Sequence, residues 1–187
     1  MNIDQAIHAR RSVRDYAREP IPRQMIEALI AAAIQAPSAM NEQPWVFSVI
    51  QDSALLDRIA ASAKAHMQAQ AQAGAGGSHV GQMLSDPDFQ IFYHAPALIV
   101  ISTKGKGRWS VEDCALAAQN LMLAACAAGL GSCWIGFAQS WLQTEEGRAA
   151  LLLSANDLPV APIIVGHPKT VAAPVARKPA DIRWVGP

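Results

Sequence analysis

Apolar residues recur at helical spacing in the first third of the chain and then give way to short unbroken apolar runs, a pattern that predicts helices mixed with a few strands. A short helix is expected from Ile3 to about Arg10, with Asn2 or Asp4 as its cap. Pro22 then stands as the first residue of a second helix, in which Ile26, Leu29, Ile30 and Ala33 share a face until Pro37 stops it. Trp45 to Ile50 is rich in β-branched and aromatic residues and reads as a strand. Asp52 or Ser53 caps a third helix bearing Leu55, Leu56 and Ile59, which fades into a low-complexity stretch from Gln68 to Ser78, read as a mobile loop or lid. Ala97 to Ser102 is a second strand whose continuous apolar character implies cover on both faces. Ser110 followed by Asp113 imitates a capping box opening a long helix to about Ala128, with Gly129 just past its end. Cys133 to Phe137 and Val160 to Val165 are further strand candidates.

This order gives an α+β layered domain, and neither an internal repeat nor a linker divides residues 1–187 into more than a single domain. From about residue 166 to 187 the chain becomes Pro-rich with few core residues. Extended, that tail reaches on the order of 65 Å, against a radius of gyration of roughly 16 Å for a globule of this length. It can cross the molecule or lie on a partner subunit.

Composition sharpens the pattern. Hydrophobic residues make up 51%, but about a fifth of the chain is Ala, so the sequence is helix-rich and closely packed more than greasy. Fifteen Lys and Arg balance fifteen Asp and Glu, which leaves no field for gathering polyanions and argues against a nucleic-acid binder. A neutral surface also favours association. Cys114, Cys126 and Cys133 form neither a CxxC pair nor an even set, which points to reduced thiols in the cytoplasm. The charge-free run from Cys114 to Thr144 is long enough to cross a bilayer, but Gln119, Asn120, Gly129 and Gly131 interrupt it, and it reads as a helix buried in a core or a subunit interface rather than a membrane span.

Three stretches carry candidate chemistry. Arg10, Arg11, Ser12 and Arg14 put three guanidiniums and a hydroxyl at the end of a helix, where they suit phosphate, carboxylate or a carbonyl edge that gains negative charge on reduction; a solvated helix end is the bland alternative. Ser38, Ala39, Met40, Asn41 and Gln43 lie in a polar loop between two prolines, where Ser38, Asn41 and Gln43 offer donors and acceptors for an amide-like heteroaromatic edge, or form an ordinary turn. Gly129 to Gly136 joins the long helix to a strand with glycines that permit close backbone approach to a ligand. The five histidines are scattered without metal-ligand spacing, and no phosphate loop, HExxH or GxSxG occurs, so no metal site and no catalytic side chain is assigned.

Taken in order, RRSVRDY (Arg10 to Tyr16), PSAMNEQPW (Pro37 to Trp45), the block from Ser110 to Phe137, and the GHPK and ARKP tail resemble the nitroreductase family of FMN-dependent oxidoreductases over nearly the whole chain. The resemblance implies a three-layer α/β/α fold with a mainly antiparallel sheet, and a homodimer with FMN at its interface and an exchanged C-terminal extension. Arg10, Arg11, Ser12 and Arg14 would contact the flavin phosphate and pyrimidine edge, and Arg177 would complete the phosphate site. Ser38, Ala39, Met40, Asn41 and Gln43 would come from the partner, and the backbone of Trp134, Ile135 and Gly136 would approach the ring nitrogen N5. The implied activity is hydride transfer from NADH or NADPH through FMN to an electron-poor small molecule such as a nitroaromatic or quinone. Flavin fragmentation, dehalogenation, or a noncatalytic FMN-binding redox sensor are the alternatives on the same site.

Overall fold

The computed structural model describes residues 1–73, 79–105 and 107–186. In chain order the elements are α1 (Ile3–Ala9), α2 (Arg23–Ala33), a 3-10 turn (Ala39–Asn41), β1 (Trp45–Ile50), α3 (Ser53–Ala73), α4 (His79–Ser85), β2 (Ala97–Thr103), α5 (Ser110–Ala127), β3 (Gly131–Trp134), α6 (Gly136–Leu142), α7 (Glu145–Ala150) and β4 (Leu158–Gly166). The strands form one sheet in the order β1-β2-β4-β3, every neighbour antiparallel.

The unbroken apolar runs of β2 and β4 are the sheet's centre. Alternate residues point to opposite faces, and the two faces of β2 enter separate cores. Leu98 and Val100 meet Leu56, Ile59, Trp141 and Leu142 on the α3 and α6 side. Ala97, Ile99 and Ile101 meet Leu29, Cys114 and Leu121 on the α2 and α5 side. The fold is therefore the expected α+β, helix on both faces of an antiparallel sheet. No helix among the described residues is long and apolar enough to cross a membrane.

Several local expectations shift. Asn2 caps α1 through a full capping box with Gln5. Pro22 sits one residue before α2, at its N-cap. The third helix does not end at Gln68: it runs on to Ala73, because Met67 packs on the core and the Gln68 amide donates to the Leu84 carbonyl of α4. Residues 74–78 of the expected loop lie outside the described residues. The strand expected at Cys133 to Phe137 is displaced to Gly131–Trp134, since Gly136 already opens α6. Ser110 is not the cap of α5; its hydroxyl donates back to the Gly107 carbonyl at 2.6 Å, and Trp109 occupies the cap position. Gly129 does end that helix in the left-handed region, at φ 76°.

Candidate functional site

Past the end of α1 the chain turns onto the open edge of the sheet, where Ser12 bridges to Ser132 and the Val13 amide donates to the Ser132 carbonyl at 3.0 Å. Gly131 makes this approach possible, because a Cβ there would lie 2.8–2.9 Å from three side-chain atoms of Val13. Three residues beyond Val13, Tyr16 bridges to Pro168; around it the Ala17 amide reaches the His167 carbonyl at 2.8 Å, and Lys169 pairs with Asp15 at 2.9 Å. The arginine segment is thus clamped between β3 and the start of the tail.

This clamp gathers the predicted cations. Arg10 and Arg11 line a cavity of about 280 Å³ with Val13, Ser132, Thr170 and Val171. Arg11 closes the end of α1 by donating through Nη1 to the carbonyls of His8 (2.6 Å) and Arg10 (2.8 Å), while its buried Nε has no hydrogen-bond partner. Arg10, Arg11 and Arg14 have no ion-pair partner among the described residues. Arg10 and Arg11 line this cavity, Arg14 stands beside Cys133 and lines a second cavity of about 240 Å³, and the buried Arg11 Nε is orphaned; such a set can receive an oxyanion, and it fits a flavin phosphate and carbonyl edge.

Ser12, Arg14 and Arg10 also face the thiol of Cys133. Burial pushes that thiol up, and the two cations and the Ser12 hydroxyl pull it partly back. Tyr93 stands beside Arg14; burial raises its phenol and Arg14 opposes the shift. Burial likewise raises the phenol of Tyr16, whose hydroxyl donates to the Val13 carbonyl at 2.8 Å. Ile135 is buried and its N–H is taken by the Pro162 carbonyl at 2.8 Å, so it is not free for a ligand. Trp134 is half-buried at the end of β3, and Gly136 borders open space.

The polar loop is equally ordered but lies elsewhere. Met40, Asn41 and Gln43 all adopt positive φ, at 51°, 56° and 49°, and Met40 is 92% exposed. The Ser38 hydroxyl accepts from the Gln43 amide at 3.0 Å, and the Gln43 side chain donates to Asn41 at 2.9 Å. Asp113 ties this strained turn to α5: its Oδ1 accepts the Ala39 amide at 3.0 Å, while its buried Oδ2 has no partner. Asp113 lies in the first turn of α5, whereas Cys126 and Gly129 at the other end line the arginine cavity. At 1.5 Å per residue the two half-sites of one chain are about 20 Å apart along the helix. The structure therefore brings Arg10, Arg11, Ser12 and Arg14 to β3 beside Ser132 and Cys133, and brings neither the Ser38–Gln43 loop nor Arg177 to them. Arg177 sits in a stretch, residues 169–186, that is exposed throughout. Tyr93 carries no signal in the sequence, Asp113 only a misleading capping signal, and Cys133 only its place within the Gly129–Gly136 stretch.

The chain belongs to the nitroreductase family: the family model described as "Nitroreductase family" matches residues 7–167. A protein of Methanothermobacter thermautotrophicus, provisionally named NADH dehydrogenase/NAD(P)H nitroreductase, is 30% identical over 173 residues, which is 90% of this chain and 78% of that protein. Among solved structures, a nitroreductase with bound FMN from Bacteroides fragilis superposes with a TM-score of 0.84 at 28% identity, covering 100% of both chains. One with bound FMN from Desulfitobacterium hafniense gives 0.84 at 26% identity, again over 100% of both.

Proposed function

We propose that the chain is a cytoplasmic FMN-dependent oxidoreductase, one domain of a homodimer, that takes reducing equivalents from NADH or NADPH and delivers them to an electron-poor acceptor such as a nitroaromatic or a quinone. The observation that carries this reading is the group of guanidiniums without an ion-pair partner among the described residues, Arg10 and Arg11 on one cavity and Arg14 beside Cys133, together with the buried, orphaned Nε of Arg11. FMN, when bound, supplies the two-electron carrier between hydride donor and acceptor. Arg10 and Arg11 hold the anionic phosphate, and Ser12 and Arg14 meet the polar edge where negative charge grows on reduction. Arg177, five residues beyond Ala172, the last tail residue that lines the arginine cavity, joins the phosphate site. No side chain of the protein need form a bond to substrate.

Two features support a dimer with sites at its interface. The half-sites lie at opposite ends of α5, so Ser38, Ala39, Met40, Asn41 and Gln43 serve the partner's flavin. The uncovered face of α5 carries Val111 and Leu116, 45% and 46% exposed, beside the exposed Ile3 and Ile7 of α1, which packs on it. The tail's exposed Val171, Ile182, Trp184 and Val185 call for cover of the same kind.

The visible spectrum of the purified protein, followed by anaerobic addition of NADH and NADPH, tests the reading. A flavin spectrum that bleaches with a nicotinamide donor is expected, as is weaker FMN retention in Arg10→Ala. A protein that neither carries nor takes up FMN overturns it. Product analysis with and without oxygen separates acceptor reduction from flavin fragmentation and dehalogenation.

A further inference from the structure

Three cavities meet at one corner of the molecule that the flavin reading leaves unused. Gln90 and His94 line all three, and Arg18 lines two of them. The smaller, about 240 Å³, opens between Arg14, Tyr16, Tyr93 and Lys169. The larger, about 500 Å³, continues past Arg18 to Gln51, Leu56, Asp57 and Pro96. Arg14 thus belongs both to the guanidinium cluster and to the mouth of this groove.

Strand register gives the groove its length. Gly131, Gly166, Ala97 and Ile50 share one end of the sheet, across β3, β4, β2 and β1. Gly166 is wedged there between Tyr16 and Pro96. Arg14 stands over β3, beside Cys133, and Gln51 follows β1. Three strand spacings at about 4.8 Å separate these edges, roughly 14 Å. A channel of that length suits an extended ligand that reaches into the flavin site from one side.

The order of chemical groups along the channel then selects the ligand. Midway, the Arg18 guanidinium is exposed and has no ion-pair partner among the described residues, and His94 faces the same two cavities. At the far end, the carboxylate of Asp57 and the polar ends of Gln51 and Ser53 accompany the apolar surfaces of Pro20, Leu56 and Pro96. A cation followed by a carboxylate beside an apolar wall is what a pyrophosphate followed by a ribose and a flat ring requires. The wall is built rather than incidental. Gln90 Oε1 accepts from the Phe92 amide at 2.6 Å and the His94 amide at 3.4 Å, and its amide donates to Asp57 Oδ1 at 3.1 Å. It holds Tyr93 and His94 at φ 52° and 55°, a conformation costly for side chains of this size.

We propose that this groove is the docking site for the adenosine-diphosphate half of the nicotinamide donor, with Arg18 on the pyrophosphate and Asp57 on the adenosine ribose. The proposal rests on the oxidoreductase reading above. It also sets donor preference. Asp57 has a hydrogen bond from Gln90 but no cationic partner among the described residues, so a 2′-phosphate placed there meets an uncompensated carboxylate, and NADH is favoured over NADPH.

ADP-ribose is the probe, titrated calorimetrically into the FMN-loaded protein and its variants. Arg18→Ala should weaken ADP-ribose about tenfold and raise the KM for NADH in step, with FMN affinity at the parent's value. Asp57→Asn should bring the KM values for NADH and NADPH together, about a tenfold change in their ratio. Wild-type ADP-ribose affinity in both variants, in a protein whose flavin NADH bleaches, overturns the groove and leaves the redox reading intact. ADP-ribose bound through Arg18 in a protein whose flavin neither donor bleaches overturns the redox reading and leaves the nucleotide site standing.

Discussion

Replacing Asp113 tests the link between α5 and the strained loop directly. Met40, Asn41 and Gln43 sit in the left-handed region, where a residue with a Cβ costs roughly 1 kcal/mol each, so the loop stores on the order of 3 kcal/mol. Its hydrogen bonds to itself, Ser38 to Gln43 and Gln43 to Asn41, define its shape. The bond from the Ala39 amide to Asp113 Oδ1 anchors that shape to the helix. Asp113→Ala removes the acceptor and leaves a part-buried N–H unpaired, a loss of about 2 kcal/mol. For a chain of this size that corresponds to about 4–8 °C in Tm, and to about thirtyfold faster hydrogen exchange at the Ala39 amide. Asp113→Asn keeps an oxygen in place and should hold both quantities near the parent's. Equal damage from Ala and Asn, or parental exchange at Ala39 in the Ala variant, refutes the argument that the acceptor oxygen fixes the loop.

Gly131→Ala should lose about 1–3 kcal/mol in denaturant unfolding, since the new Cβ meets the Val13 Cβ and one of its methyls at 2.8 Å; Val13→Gly, which removes every atom of that clash, should make the added cost of Gly131→Ala small in the double variant. Burial, with Asp113 beside it, pushes the Cys114 thiol from 9.0 up to about 12. The folded chain then keeps a proton that the unfolded chain has lost, so stability falls as pH rises from about 9 towards 12, by up to ~1.4 kcal/mol per pH unit for this group. Denaturation against pH should show the slope, and Cys114→Ala should make it shallower by this group's share, leaving that of the buried Cys133, Tyr16 and Tyr93. Leu116→Glu puts a charge on the exposed apolar face of α5; sedimentation should show monomer, with FMN affinity lost alongside.

How much of this was legible in the sequence depends on how local each cause is. Ala97–Thr103 and Leu158–Gly166 announce themselves because strands covered on both faces are apolar nearly throughout, and the edge strand Trp45–Ile50, partly exposed, is legible instead from its aromatic and β-branched residues. The extension of α3 through Gln68 to Ala73 was missed because Ala and Gln in alternation look like low complexity, yet both are good helix formers and α4 supplies the contact that holds them. The arginine cluster was legible as charge. Its neighbours Tyr93 and Cys133 are not legible as its partners, because the α+β fold brings them there from separate parts of the chain. Asp113 shows the limit most plainly: three residues after Ser110 it satisfies a capping pattern, but its partner is Ala39, 74 residues away.

The position of that partner decides what a complete site needs. Within one chain α5 acts as a spacer of about 20 Å between the Ala39 anchor and the arginine cavity. In the proposed homodimer a twofold axis crossing the middle of α5 would exchange its ends, so that each loop would meet the other chain's guanidiniums and two equivalent sites would arise together. This arrangement predicts complementation. Arg10→Ala chains and Asp113→Ala chains, each poor in FMN as homodimers, give a mixed dimer with one doubly altered site and one intact site. Unfolded and refolded together at equal concentration, half the dimers are mixed, and about a quarter of all sites should regain parental FMN affinity. Flavin fluorescence titration reads that fraction. No recovery in mixtures shown to contain mixed dimers places both residues in the same site and refutes the division of the site between two chains.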